Sequence, residues 1–238
     1  SNAVGMIMLS KGDVYRDISR NIARGFSKHK LFPVLINGDL IYDDTSVTTF
    51  LNTLCSEQAP PYGYIIDGST HTPYAFLKEH ADSFTNLVFI NKYHYHERLL
   101  NAKYALIDFH AAGRMIAEYF IKKGYNSFVQ LAMPERSYAG PWSSLQAQVL
   151  GGILEVVRQS DINFNEEVFW KLLHGAPLQE ALCELMSGKN PPEAVFSYND
   201  AYMRYDVLPI LRSFSKPVEV IGFYNTPHSK ECNFSSVC

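Results

Sequence analysis

The chain has 238 residues, of which 47% are broadly hydrophobic and 19% charged, and 21 Lys and Arg stand against 24 Asp and Glu for a net charge of -3. That is too apolar for intrinsic disorder and ample for a core, in one large domain or two modest ones. A net-acidic chain matches a phosphate backbone poorly, so nucleic-acid binding by the chain as a whole is disfavoured, with room left for a local basic patch. The four cysteines, Cys55, Cys183, Cys232 and Cys238, make no CxxC pair and no metal-ligand spacing. They suit either a reducing compartment, the cytoplasm being the expected one, or simply buried thiols. No apolar run has the length of a membrane span. Ser1-Asn2-Ala3 reads as a tag remnant, with native sequence expected from Val4.

Strands and helices alternate along the chain. Val4 to Leu9 is a short apolar run, expected to be a buried strand, and Ser10-Lys11-Gly12-Asp13 breaks it. Ile18, Ile22 and Phe26 then recur at the helical period. Phe32 to Ile36 is a second strand, Thr45 to Cys55 a second helix, and Tyr64 to Gly68 a third strand. Tyr74 to Asp82 is helical, Leu87 to Ile90 a fourth strand and Tyr104 to Asp108 a fifth. This is the rhythm of a parallel sheet covered on both faces by helices.

The rhythm then restarts. Ala111 to Lys123 is a helix stopped by Gly124, and Ser127 to Ala132 is a strand. Leu145 to Arg158 and Pro177 to Ser187 are helices, with a less regular stretch at Asn163 to Phe169 between them that has room for a strand. Glu193 to Ser197 is a strand, Asp200 to Ser213 a helix interrupted at Pro209, and Val218 to Phe223 a further strand. The expectation is α/β, with two doubly wound parallel-sheet subdomains, residues 4–123 and 124–238.

Open sheets of this kind bind ligands in the loops after strand C-termini. Those loops hold Ser10, Asp67, Asp108 to His110, Trp142, Asn199, Asp200 and Tyr224. The set is polar and aromatic, as a site for a sugar or similar small molecule would be. Asp200 opens a helix and reads as its cap, which leaves Asn199 to face a cleft. Gln148 lies inside a helix, where its amide either meets solvent or reaches the cleft. Asp108 and His110 lie two apart after a strand, but no GxSxG or HExxH accompanies them, so no enzyme is expected. His94 and His96 lack a third ligand nearby, so no metal is expected. GxGxxG and a P-loop are absent, so no nucleotide cofactor is expected either.

Four stretches in register carry a resemblance. They are Gly63-Tyr64-Ile65-Ile66, Ile107-Asp108 through Gly113 to Tyr125, Pro192-Glu193-Ala194-Val195-Phe196 with Asn199-Asp200, and Val218 to Thr226, followed by Ser235-Ser236-Val237. The chain resembles the effector-binding domain of LacI/GalR-family transcriptional repressors, which shares the type I periplasmic-binding-protein fold. The resemblance implies an effector between two lobes, contacted from Ser10, Tyr15, Asp108, Trp142, Gln148, Asn199 and Tyr224. It departs from the family at Gln148, where an Arg is usual, and at Tyr224, where an Asp is usual. It further implies a helix-turn-helix ahead of Val4 that reads operator DNA, a homodimer, and a C-terminus cut short after the last strand. The effector would act by shifting the population between two lobe orientations. A periplasmic or secreted sugar-binding protein of the same fold is the alternative, and an apolar leader in place of the helix-turn-helix would mark it.

Overall fold

The computed structural model describes residues 2–8, 13–37, 49, 52, 61–68, 74–84, 86–91, 98–133 and 141–237. The chain divides into two compact units, Ser1–Ile107 and Asp108–Cys238. Sequence reading closes the first subdomain at residue 123 instead. The helix between those two boundaries packs closely on the next helix of the second unit, which assigns it to that unit and sets the boundary earlier in the chain.

The first unit runs β1 (Ala3–Met8), α1 (Asp13–Lys28), β2 (Phe32–Asn37), β3 (Gly63–Asp67), α2 (Tyr74–Glu79), β4 (Leu87–Asn91) and β5 (Ala102–Leu106). Every strand pair is parallel, in the order β2-β1-β3-β4-β5. The alternation of side chains along a strand divides the apolar residues between the two faces. On one face Met6, Met8 and Ile90 meet Ile18, Ile22 and Phe26 of α1. On the other, Ile7, Tyr64, Ile66 and Phe89 pack with Leu77 of α2, Phe84 and Leu99. The helix expected over Thr45 to Cys55 lies almost wholly outside the described residues. The fifth strand is earlier than expected: it ends at Leu106, and Asp108 caps the following helix by accepting from the Ala111 N–H at 2.8 Å.

The second unit runs α3 (Phe109–Lys122), β6 (Ser127–Leu131), α4 (Pro141–Val157), β7 (Asn163–Phe164), α5 (Glu166–Leu173), α6 (Leu178–Ser187), β8 (Ala194–Ser197), α7 (Asp200–Tyr202), a π-helical turn (Met203–Val207), α8 (Leu208–Leu211), β9 (Glu219–Phe223), α9 (Pro227–Cys232) and β10 (Ser235–Val237). Its strands are ordered β10-β9-β8-β6-β7. Counted from the first strand of each unit, both sheets wind second-first-third-fourth-fifth, so the restart heard in the sequence is a repeat of topology. One face of the second sheet carries Val129, Leu131, Val195 and Val220 against α5, α6 and the π turn. The other is aromatic: Phe128 lies 4.7 Å from Phe120 of α3, and Phe196 lies 6.3 Å from Phe223, centroid to centroid.

Two local features have clear causes. The helix after β8 loosens into a π turn ahead of Pro209, where Leu208 N–H bonds back to the Met203 carbonyl. Proline has no N–H for the Tyr205 carbonyl, and the wider turn accommodates its ring. The α3–α4 crossing needs glycine on both helices. A Cβ at Gly113 would lie 2.0 Å from the Val149 carbonyl oxygen, and one at Gly152 would lie 2.0 Å from that of His110.

Candidate functional site

A doubly wound sheet leaves a crevice at the C-terminal ends of its strands where the winding reverses. In the second unit that point lies between β6 and β8. The residues at the strand ends are Met133 after β6, Ser197 to Asp200 after β8, and Tyr224 to Thr226 after β9.

Asn199 is the cap of α7, not Asp200. Its Oδ1 accepts from the N–H groups of Ala201 at 2.7 Å and Tyr202 at 3.2 Å. This reverses the roles expected from sequence. Because Oδ1 is consumed by the cap, the half-buried Asn199 presents its Nδ2 group as a donor.

Asp200 is fully buried and holds the strand ends together. Its Oδ2 accepts from Thr226 N–H at 2.7 Å and the Thr226 hydroxyl at 3.0 Å, and its Oδ1 accepts from the Ser236 hydroxyl at 2.7 Å. Ser236 Oγ in turn accepts from Asn225 N–H at 2.8 Å. Gly222 makes room for the carboxylate, since a Cβ there would fall 1.9 Å from Asp200 Oδ1. The carboxylate therefore links β8, the turn after β9, and β10.

That turn is strained. Tyr224 and Asn225 have φ of 85° and 47°, a region that non-glycine residues occupy only when their surroundings insist. The Tyr224 N–H bond to Val237 O at 2.7 Å and the Ser236–Asn225 bond supply that insistence. The conformation places the half-buried Tyr224 hydroxyl 2.8 Å from that of the buried Tyr198. Tyr198 also stacks on Phe223 at 5.2 Å and tilts against Phe109 at 5.6 Å. The outcome is an aromatic ledge edged with hydroxyl and amide groups. Tyr198, Phe223 and Phe109 are buried, so the half-exposed Tyr224 is the ring of this group that can meet a sugar, and the others support it from below.

Other expected contacts fall elsewhere. His110 faces α4, with Nε2 3.5 Å from Glu155, to which Arg114 also pairs at 3.6 Å. Gln148 is exposed on α4. The buried amide of that helix is Gln146, which sequence reading missed. It accepts from Met133 N–H at 2.7 Å, donates to Met133 O at 3.2 Å, and so fixes the end of β6. Tyr15 is half-buried on α1. Ser10, His94, His96 and the side chain of Trp142 lie outside the described residues.

The first unit has its own polar strand ends. Asp67 closes β3, Asn91 closes β4, both are buried, and Asn91 Nδ2 donates to Asp67 Oδ1 at 3.3 Å. β3 borders the reversal of winding in this sheet, between β1 and β3. A cavity of about 300 Å³ lies at the opposite end of the second sheet, lined by Ser127, Asn163, Asn165 and Asn190. Its position at strand N-termini sets it apart from the crevice. Among the described residues no cluster of His, Cys, Asp or Glu could hold a metal ion, and no helix is long and apolar enough to cross a membrane.

No protein-family model matches the chain, and no curated protein does. Solved structures match along almost its whole length. A transcriptional regulator CelR–cellobiose complex superposes with a TM-score of 0.72 at 16% identity, covering 99% of this chain and 72% of that one. A LacI-family regulatory protein from Chloroflexus aggregans gives 0.70 at 16%, covering 99% and 83%. A periplasmic binding protein/LacI transcriptional regulator from Alkaliphilus metalliredigens QYMF, complexed with D-xylulofuranose, gives 0.68 at 17%, covering 99% and 84%. The fold is that of the type I periplasmic binding proteins. LacI-family regulators share it with them, and the two parallel five-stranded sheets of this chain are its two subdomains. In a type I binding-protein fold the strand-end residues described above occupy the side of each sheet where ligands bind.

Proposed function

We propose that the chain is the effector-sensing domain of a LacI-family transcriptional regulator. It binds a small polar molecule, a carbohydrate, through strand-end residues of both units. That binding controls operator recognition by a helix-turn-helix attached ahead of Val4, in a cytoplasmic homodimer. The observation that carries this reading is the ledge in the second unit, where the half-buried Asn199 and Tyr224 group an amide donor with a hydroxyl and a ring, held from below by the buried Tyr198. Two of the superposed proteins are described with a sugar, cellobiose in one and D-xylulofuranose in the other, which supports the same class of ligand here. The described residues at the ledge suit binding rather than catalysis: the one buried carboxylate, Asp200, spends both oxygens on structural donors. The site residues proposed are Asn199, Tyr224, Asp108 and Trp142 of the second unit, and Ser10 and Tyr15 of the first. Gln148 and His110 are weaker members, one exposed and the other paired with Glu155.

The test is a thermal-shift screen of the 238-residue protein against pentoses, hexoses, uronic acids, disaccharides and purines, followed by calorimetry on any hit. A saturable shift that Asn199→Asp abolishes is expected. No shift with any sugar, in protein that unfolds cooperatively, refutes the sensor reading.

A further inference from the structure

The end of the second sheet opposite its crevice carries a groove. The cavity of about 300 Å³ at the strand N-termini adjoins another of about 200 Å³, and the two share Asn165, Glu167, Leu185 and Asn190. One wall is β7 and the first turn of α5. The other is the end of α6 and the chain that follows it through Gly188 and Asn190 to Pro192. All of it lies within the second unit.

The floor of the groove is apolar and its rim is polar. Phe128 and Val129 are buried in the floor, and Phe128 lies 5.1 Å from the half-buried ring of Phe164, centroid to centroid. Asn163, Asn165 and Asn190 stand exposed at the rim. Local structure fixes what two of the polar groups offer. Asn165 Oδ1 accepts from Glu167 N–H at 3.1 Å and Val168 N–H at 3.4 Å as the cap of α5, so its Nδ2 is the group left to face a ligand. Ser127 Oγ accepts from Glu193 N–H at 3.3 Å, which leaves its own proton to donate. Asn163 and Asn190 add amides that both donate and accept, and Glu166 adds carboxylate acceptors.

This mixture limits the ligand. Sugar hydroxyls each donate and accept, and they match carboxamides set beside fixed donors and a carboxylate. The C–H face of a pyranose ring suits Phe164 and Leu185. The larger recess is at the small end of ligand sites, a size for one ring. Phosphates and other anions are opposed by Glu166 and by Glu167, whose charge already holds Lys171 at 3.1 Å.

We propose that this groove is a second carbohydrate site, for a neutral pyranoside, held by Ser127, Asn163, Asn165 and Asn190 over Phe164. It is separate from the crevice and does not depend on the effector reading. A ring seated there ties β7, the start of α5 and the end of α6 together.

The experiment is nuclear magnetic resonance on the 238-residue protein with nitrogen-15 in its asparagine side chains. The probes are the methyl pyranosides of glucose, galactose and mannose, titrated to about 50 mM. Saturable shifts of the Asn163, Asn165 and Asn190 NH2 signals are expected with at least one of them, at a Kd on the order of 1–10 mM for a site so open. Asn165→Ser keeps an acceptor for the α5 cap and removes the amide donor. Its melting temperature should hold while the affinity read from Asn163 and Asn190 falls at least about fivefold. Four results overturn the proposal. They are no shift with any of the three pyranosides, equal shifts with the open-chain polyol erythritol, tighter binding of glucose 6-phosphate, and shifts that Asn165→Ser leaves intact. The last would mean that the sugar is held elsewhere and is only sensed at the groove.

Discussion

Asn199 and Asp200 are neighbours with different roles, and substitutions can separate them. Asp200→Ala removes the acceptor for three donors, on Thr226 and Ser236, in a site with no solvent access. Stranding buried donors around a lost charge costs about 3–5 kcal/mol. Asp200→Asn should lose less, because its Oδ1 can keep the two Thr226 donors while its Nδ2 donates to a Ser236 hydroxyl that turns its proton away. A melting curve of each variant checks this, and a loss under about 1 kcal/mol in Asp200→Ala would show that the carboxylate is not the pin described. Asn199→Asp acts on the other role. It keeps an oxygen for the α7 cap, so stability should change little, whereas Asn199→Ala should lose about 1 kcal/mol. If Asn199 holds the effector through Nδ2, the Asp variant should lose at least about tenfold in affinity for the sugar that binds the parent, because a donor has become an acceptor. Calorimetry beside a melting curve distinguishes cap from contact. The sequence contains the Asn-Asp pair but cannot say which side chain turns back onto the helix. Either residue type caps well, and the choice rests on the burial of Asp200 against Gly222, a contact across the fold.

At the scale of elements, the α3–α4 crossing is the most sharply constrained contact. Gly113→Ala or Gly152→Ala would drive a methyl group into a backbone carbonyl of the facing helix, which cannot rotate away as a side chain can. Each should cost about 2–3 kcal/mol or more, as overpacking does. Gly124→Ala is a useful contrast: its φ of 81° makes substitution a strain, but nothing lies within 4 Å of its Cβ. Chemical denaturation of the three variants should rank the two crossing glycines as the worse. Sequence reading did well with elements whose apolar spacing speaks alone, such as α1, α3 and the inner strands. It did less well where one polar residue sets a boundary. The extension of the fifth strand to Asp108 fails because that side chain accepts from Ala111 N–H and starts α3. The irregular stretch after Asn163 is a two-residue strand and then α5, started by Asn165 accepting from Glu167 and Val168 N–H. The cap and the acidic first turn were legible as a helix start, but the short apolar pattern of α5 obscured it.

At the scale of the whole molecule, each unit is a sheet with its own apolar cores, and a domain with its own core can fold alone. The second unit has the stronger case. Its five strands, its caps and the Asp200 network all lie within Asp108–Cys238. Residues 108–238 expressed alone should therefore show native-like far-ultraviolet dichroism and a cooperative thermal transition. Aggregated or non-cooperative material would mean that the unit borrows stability from residues before Asp108. The same fragment tests where the effector is held. It keeps Asn199, Tyr198 and Tyr224 but lacks Ser10, Tyr15, Asp67 and Asn91. If the ligand is gripped by strand ends of both units, a folded fragment should bind the sugar that shifts the full chain at least about a hundredfold more weakly, since half the polar contacts and the exclusion of water are lost. Affinity within about threefold of the full chain would place the whole site on the aromatic ledge. In that case the ligand could not bias one unit against the other, and a population shift between lobe orientations would lack the differential contact it requires.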